Sequence, residues 1–338
     1  MKKVSGWIKF LIFALVLVLS LVVADKVLCF KEAHGFRQAR DMYAQPKDTI
    51  DVAFLGSSHI HVNINTALLW EEYGIASYDY SGAEQPMWMT YYYLKELCKY
   101  QSPKVVVLDF YSPAKFRDDY QYDYIADNFY GMRPSINKLQ MLMASVEPSR
   151  IADFFPPLVS YHFRYRELEK EDFDYLLETK YDRQAFKGYT PYFLVEKYEK
   201  PDFSAEEQSP ITEKSQLYLE KIVEFCKERD IQLFFIVTPY YKAYDADMNF
   251  AYIQKLAESY GVLFEDGHDF IDHIGINYAT DLNDDSHLNY SGSCKYTRHL
   301  GAAMKAVFDI PDRRGDVRWE SWDRNVAAIQ KMVQQNGW

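Results

Sequence analysis

Lys104-Val-Val-Val-Leu-Asp109 has no polar position between its two ends. A strand over these residues has no face to give to water, so it belongs inside a sheet covered on both sides. Ile231-Gln-Leu-Phe-Phe-Ile-Val237 reads as a second buried strand. Shorter strand-like runs cover Ile50 to Leu55, Ala76 to Tyr80 and Val262 to Glu265. Helix-like stretches stand between them: Asn65 to Tyr73, Pro86 to Tyr100 with Met, Tyr and Leu on one face, Ser215 to Arg229, and Phe250 to Tyr260. Ser291 to Phe308 reads as a further helix, as does Trp319 to Gln335 with Trp319, Trp322, Val326 and Ile329 on one face. Strands that alternate with helices predict an α/β fold built on a parallel sheet, with helices on both faces.

The alternation breaks between Tyr111 and Pro210. This region is rich in Tyr, Phe, Asp and Arg, with helix-like pieces at Ile136 to Met143 and Glu167 to Thr179. It reads as an insertion, 111–210, that caps the carboxyl edge of the sheet, where sites on such sheets are built. The main domain is expected over 41–338. No internal repeat or low-complexity segment interrupts it.

Phe10 to Ala24 is apolar throughout apart from Ser20, and Lys2, Lys3 and Lys9 precede it. Val22-Val-Ala24 loosely fits a signal-peptide cleavage site. A helix over 7–30 is also long enough to span a bilayer, with Asp25 and Lys26 near its outer end, and the anchor is the preferred reading. Basic residues lie on both sides of the span, so their count does not fix orientation. A short basic tail before a signal-like core keeps the N-terminus inside, and a long following domain translocates largely regardless of charge. The main domain is therefore expected outside the cytoplasm, on a single-pass cell-membrane anchor.

With 48% apolar and 26% charged residues, the chain is globular rather than disordered. Its net charge of −11, without a basic patch, argues against nucleic acid as a partner. The 29 tyrosines offer flat apolar faces with polar tips, which suit sugar surfaces as well as ordinary packing. The cysteines, Cys29, Cys98, Cys226 and Cys294, have no metal spacing and no Cys-x-x-Cys pair. Cys98 and Cys226 read as buried helical thiols, and an exported chain leaves a disulfide open.

Two short pieces carry chemistry. The first strand ends in Gly56-Ser57-Ser58-His59, and Asp284-Asp-Ser-His287-Leu-Asn lies more than 200 residues downstream. Ser58 is the candidate nucleophile, since a hydroxyl is inert at neutral pH until a base takes its proton. His287 is the candidate base, and Asp284 would fix its tautomer and stabilise the imidazolium. Residues three apart face the same way in a turn. Asp285 and Asp281 are less favoured for the third role. Gly-Ser-Ser alone also fits a helix N-cap, because Ser is a common cap. The Asp-x-x-His at the other end of the same αβ pattern tips the balance toward catalysis. His59-Ile-His61 is a possible metal pair, but no carboxylate or third-His spacing supports it. His59 reads as a residue lining the pocket, and no metal or other cofactor is expected.

These residues resemble the SGNH/GDSL superfamily of hydrolases and acyltransferases. Gly56-Ser57-Ser58 occupies the place of its first block, Asp284-Asp-Ser-His287 that of its last, and Ser81-Gly82 the place of its oxyanion-hole glycine. With the anchor, Thr238-Pro239 after the fourth strand and His287-Leu-Asn289 before a final helix, the chain is most similar to a membrane-anchored extracytoplasmic subgroup. That subgroup includes proteins similar to the D-alanyl-lipoteichoic acid transfer protein and to alginate O-acetylation proteins. The resemblance covers roughly residues 50 to 310. It implies a flavodoxin-like three-layer αβα sandwich, the SGNH hydrolase fold, and an oxyanion hole from the amides of Ser58 and Gly82. The family's third block supplies an Asn donor, whereas Phe110-Tyr111-Ser112-Pro113 has none. Tyr111 and Ser112 are candidates for a further donor and for the pocket.

The expected activity is transfer of an acetyl or D-alanyl group through an acyl-Ser58 ester to a cell-envelope polysaccharide, teichoic acid or other polyol polymer. The resemblance also implies a multi-spanning membrane-bound O-acyltransferase as partner. A carbohydrate esterase or deacetylase shares every residue. A non-catalytic glycan-binding envelope protein is the rival from another class, favoured by the missing Asn and opposed by the intact Ser, Asp and His.

Overall fold

The computed structural model describes residues 6–29, 31, 34–154, 158, 161–170, 172–173, 181–200, 210–241 and 250–338. Its sheet has five parallel strands: β1 (Val52–Leu55), β2 (Ser77–Asp79), β3 (Val105–Asp109), β4 (Gln232–Val237) and β5 (Leu263–Asp266). The order is β2-β1-β3-β4-β5. The chain leaves β1 toward one edge for β2, then crosses back over β1 to β3. This is consistent with a flavodoxin-like arrangement, in which ligands bind above the carboxyl ends of the strands where the order reverses.

Right-handed crossovers fix the layers. They put Thr66–Tyr73, between β1 and β2, on one face, and Met87–Leu97, between β2 and β3, on the other. Glu213–Lys227 packs against Met87–Leu97, while Tyr290–Val307 and Glu320–Gln335 pack against Thr66–Tyr73. Strand side chains alternate between the two layers. Val52, Phe54, Val105, Val107, Phe234 and Ile236 share one core with Leu69, Tyr296, Leu300 and Met304. Ala53, Leu55, Val106, Leu108, Phe235 and Val237 point the other way and are equally buried.

Most element boundaries move by one to three residues from the sequence expectation, for local reasons. β1 begins at Val52, after a bend at Asp51, whose carboxylate accepts from both Nε and Nη2 of Arg313 at 2.8 Å. Asn65, Thr212 and Asn289 are caps rather than helical residues. Their side chains accept from the amides of Leu68, Ser215 and Gly292, respectively. β4 is buried only from Phe234 onward; Gln232 at its amino end is exposed, unlike the fully covered strand expected. Trp319 and Trp322 are buried as expected and donate their indole N–H groups to Thr49 O at 2.7 Å and Ser77 O at 3.0 Å.

The chain divides into two compact units, one from the described residues of 1–31 and 147–182, the other from those of 32–146 and 183–338. The 111–210 stretch therefore contributes to both. In the first unit the helix Gly6–Leu28 is long and apolar enough to cross a membrane. At 1.5 Å per residue it spans about 34 Å, against about 30 Å of hydrocarbon. Arg164 Nη1 donates to the terminal carbonyl of Leu28 at 2.7 Å, and Asp172 lies within 3.3 Å of both Lys31 and Arg164. Phe30 and most of the helix expected over Glu167 to Thr179 lie outside the described residues. The second unit carries the sheet. All four cysteines are free thiols; burial pushes Cys98 up to about 11 and Cys226 up to about 12.

Candidate active site

β1 delivers the first piece of the site. Gly56 follows it with φ +142, a conformation that glycine reaches at low cost. A Cβ there would lie 2.7 Å from the Asp109 Cβ, so the turn has room only for glycine. Ser57 then takes the N-cap position of the short helix Ser58–Asn63 and accepts from the His59 amide at 3.3 Å. The capping role thus falls to Ser57. Ser58 is the first residue of the helix, 7% exposed, with its hydroxyl free for other work.

Asp109, at the carboxyl end of β3, holds this turn in place. Its Oδ2 accepts from Ser57 Oγ at 2.5 Å and from Ser57 N at 3.3 Å, and its Oδ1 accepts from Tyr111 N at 3.2 Å. Complete burial pushes its carboxyl up to about 6 against those donors. Its folded value stands above the unfolded one, so the ionised form opposes folding. That penalty is absent below about pH 4 and complete above about pH 6.

The second piece is a tight loop. Leu282 and Leu288 face each other in an antiparallel bridge, and Asn283 N donates to His287 O at 2.9 Å. Within it, Asp284 Oδ1 accepts from the amides of Ser286 at 2.9 Å and His287 at 2.8 Å, an Asx-type turn. The same carboxylate lies 2.9 Å from His287 Nδ1, and His287 Nε2 lies 2.8 Å from Ser58 Oγ. Ser58, His287 and Asp284 therefore meet in one hydrogen-bonded line. Burial disfavours the Asp284 charge, but hydrogen bonds from His287, Asn283 and Ser286 outweigh it and hold the carboxyl down at about 2. The other two acids go elsewhere. Asp281 bonds Lys295 Nζ at 2.6 Å and Asn277 N at 2.7 Å, and Asp285 gives its backbone carbonyl to Tyr241 N at 3.1 Å.

Asn63 joins the two pieces. Its Oδ1 accepts from Leu288 N at 2.9 Å, and its Nδ2 donates to Thr238 Oγ1 at 2.7 Å. The residue after His287 is thus tied to the end of the helix that begins at Ser58. Aromatic rings hold the imidazole from the side: Tyr192 lies 5.6 Å from His287 and His59 lies 5.3 Å from it, centroid to centroid.

His59 is fully buried and stacks on Tyr111 at 3.6 Å. Its Nδ1 lies 3.3 Å from Thr238 Oγ1 and its Nε2 lies 3.1 Å from Ser286 Oγ. It forms the wall behind His287. The Tyr111 hydroxyl accepts from Ser286 Oγ at 3.2 Å and Lys115 Nζ at 2.9 Å. Ser112 lines an adjoining polar cavity of about 350 Å³ with Glu84, Lys115, Arg117 and Gln121. His61 takes different partners from His59: its Nδ1 lies 2.9 Å from Ser81 Oγ, and its Nε2 lies 3.3 Å from His34 Nδ1. Burial is the main cause that pushes His59 and His61 well below the usual imidazole range and His34 down to about 4, so all three are neutral at pH 7.

The amide of Gly82, expected in the oxyanion hole, donates to Gly56 O at 3.1 Å. It continues the β1–β2 ladder instead of standing free in the cleft. The Ser58 amide donates to no described residue. Asp109, Asn63, Tyr192 and His34 escaped the sequence reading. Only Asp109, at the end of a buried strand, carried any local sign of its place. No protein-family model matches the chain, and a search of curated proteins finds no relative.

Proposed function

We propose that the chain is an extracytoplasmic serine acyltransferase of SGNH type, held at the membrane by its N-terminal helix. It moves an acetyl or D-alanyl group to hydroxyls of a cell-envelope polysaccharide or teichoic acid. One observation carries this reading: Ser58 Oγ, His287 and Asp284 stand in line at 2.8 Å and 2.9 Å, above the carboxyl edge of a parallel sheet. Ser58 Oγ attacks the acyl carbonyl while His287 Nε2 takes its proton, and Asp284 stabilises the imidazolium through Nδ1–H. Collapse of the tetrahedral intermediate expels the leaving group, which takes that proton from Nε2. Ser58 then carries the acyl group as an ester. An acceptor hydroxyl gives its proton to His287 Nε2, attacks the ester and releases Ser58, which recovers the proton.

A membrane position suits a polymer acceptor and a donor delivered by a multi-spanning O-acyltransferase. An esterase uses the same residues with water as acceptor, so the two are separated by the acceptor. The full-length chain in membranes, given an activated acetyl ester and a polyol polymer, should release the leaving group faster with polymer present and acetylate the polymer. Ser58→Ala should abolish both. Leaving-group release without polymer acetylation would mean an esterase. Equal rates for the wild type and Ser58→Ala would favour the glycan-binding rival.

A further inference from the structure

An acyl transfer at Ser58 places a negative charge on the carbonyl oxygen, and such sites use at least two preorganised donors for it. The cleft offers the Ser58 amide. The Gly82 amide is bonded to Gly56 O, and the loop after β3 carries no Asn. A second donor has to come from elsewhere.

Ser81, His61 and His34 form a hydrogen-bonded file beside the nucleophile. His61 stands three residues after Ser58 on the same helix, which puts both on one side of it. From buried Ser81 the file runs through His61 Nδ1 at 2.9 Å, then from His61 Nε2 to His34 Nδ1 at 3.3 Å, with the two rings edge to face. His34 is pinned to the loop after β2: its carbonyl accepts from Ala83 N at 3.0 Å, and the next residue, Gly35, packs on Gly82 Cα. The backbone of this segment therefore runs against the loop that carries Gly82. His34 Nε2 ends the file with no partner among the described residues. Burial, and less strongly the charge of a protonated His287, holds both His34 and His61 below the usual imidazole range.

We propose that the His34 imidazole is the second oxyanion donor of this site, through Nε2–H. The inference rests on the serine acyltransfer reading. Two proton arrangements satisfy the file. In one, Ser81 donates to His61 Nδ1, His61 Nε2–H donates to His34 Nδ1, and His34 Nε2 carries the proton offered to the oxyanion. In the other, every bond is reversed and Nε2 presents a lone pair. A developing oxyanion selects the first, because a lone pair would repel it. A neutral imidazole does this work without charging a buried group.

The test uses the full-length chain and a fluorophosphonate, which Ser58 attacks at phosphorus with loss of fluoride, building charge on the phosphoryl oxygen. His34→Phe keeps a ring but removes the donor. It should slow Ser58 labelling by roughly 10² to 10³, the usual cost of one oxyanion donor. His34→Gln restores an N–H and should regain at least a tenth of the wild-type rate. Labelling of His34→Phe at the wild-type rate would overturn the proposal. So would a folded His34→Gln as slow as His34→Phe, since the ring would then serve only shape. If wild-type Ser58 takes no label, the acyltransfer reading falls and takes this inference with it.

Discussion

Asp284→Asn should lower turnover of an activated acetyl ester by roughly 10³ to 10⁴ with the fold unchanged, as when the acid of a Ser-His-Asp triad becomes an amide. The carboxylate accepts from His287 Nδ1 at 2.9 Å. An amide in its place can turn its NH₂ to that nitrogen and favour the tautomer with the proton on Nε2, which cannot take the proton from Ser58. The two backbone bonds from Ser286 and His287 need only one acceptor oxygen, so the turn itself survives. Asp285→Asn should change turnover several-fold at most, because the carboxylate that bonds His287 Nδ1 is that of Asp284. If Asp285→Asn is the crippled variant, the third residue of the triad has been misassigned.

Gly56→Ala should reduce turnover by about 10² or more, with a loss of stability. Positive φ at a non-glycine residue costs about 1–3 kcal/mol. Here the new methyl would also meet Asp109 Cβ at 2.7 Å. Asp109 holds Ser57, so relief of that clash moves the cap and Ser58 beside it. A displacement of about 1 Å in a reacting group is enough for a 10²-fold loss. Gly261→Ala is the control: its φ is +66, nothing stands within 4 Å of the new Cβ, and it lies at the end of the helix Ala251–Tyr260. It should lower the melting temperature and leave turnover alone. Equal turnover losses in the two variants would show that general instability, and not the placement of Ser58, explains the first.

The parallel sheet was legible because its strands are written locally. Val105 to Leu108 could be nothing but a covered strand, and helical runs separate it from its neighbours. The Ser58 turn and the Asp284–His287 loop were legible for the same reason, each being a short pattern with its own turn chemistry. What joins them was not. Asn63 reaches Leu288 across 225 residues, Asp109 reaches Ser57 across 52, and His34 reaches His61 across 27. Nothing in the local spacing of any of these residues announces its partner. The Gly82 position could be read from the sequence, but whether its amide stays free depends on Gly56 O, a product of the β1–β2 register. The 111–210 stretch looked like one insertion because its composition is uniform. Composition does not reveal that 147–182 groups with the N-terminal helix and the rest with the sheet.

The most direct test of the central claim, a nucleophilic Ser58 activated by His287, is intact-mass analysis of the full-length chain after treatment with a fluorophosphonate. A single adduct is expected, and peptide mapping should assign it to Ser58. It should be absent in Ser58→Ala and slowed by several orders of magnitude in His287→Ala. An unlabelled wild type, or an adduct that persists in Ser58→Ala, would contradict it.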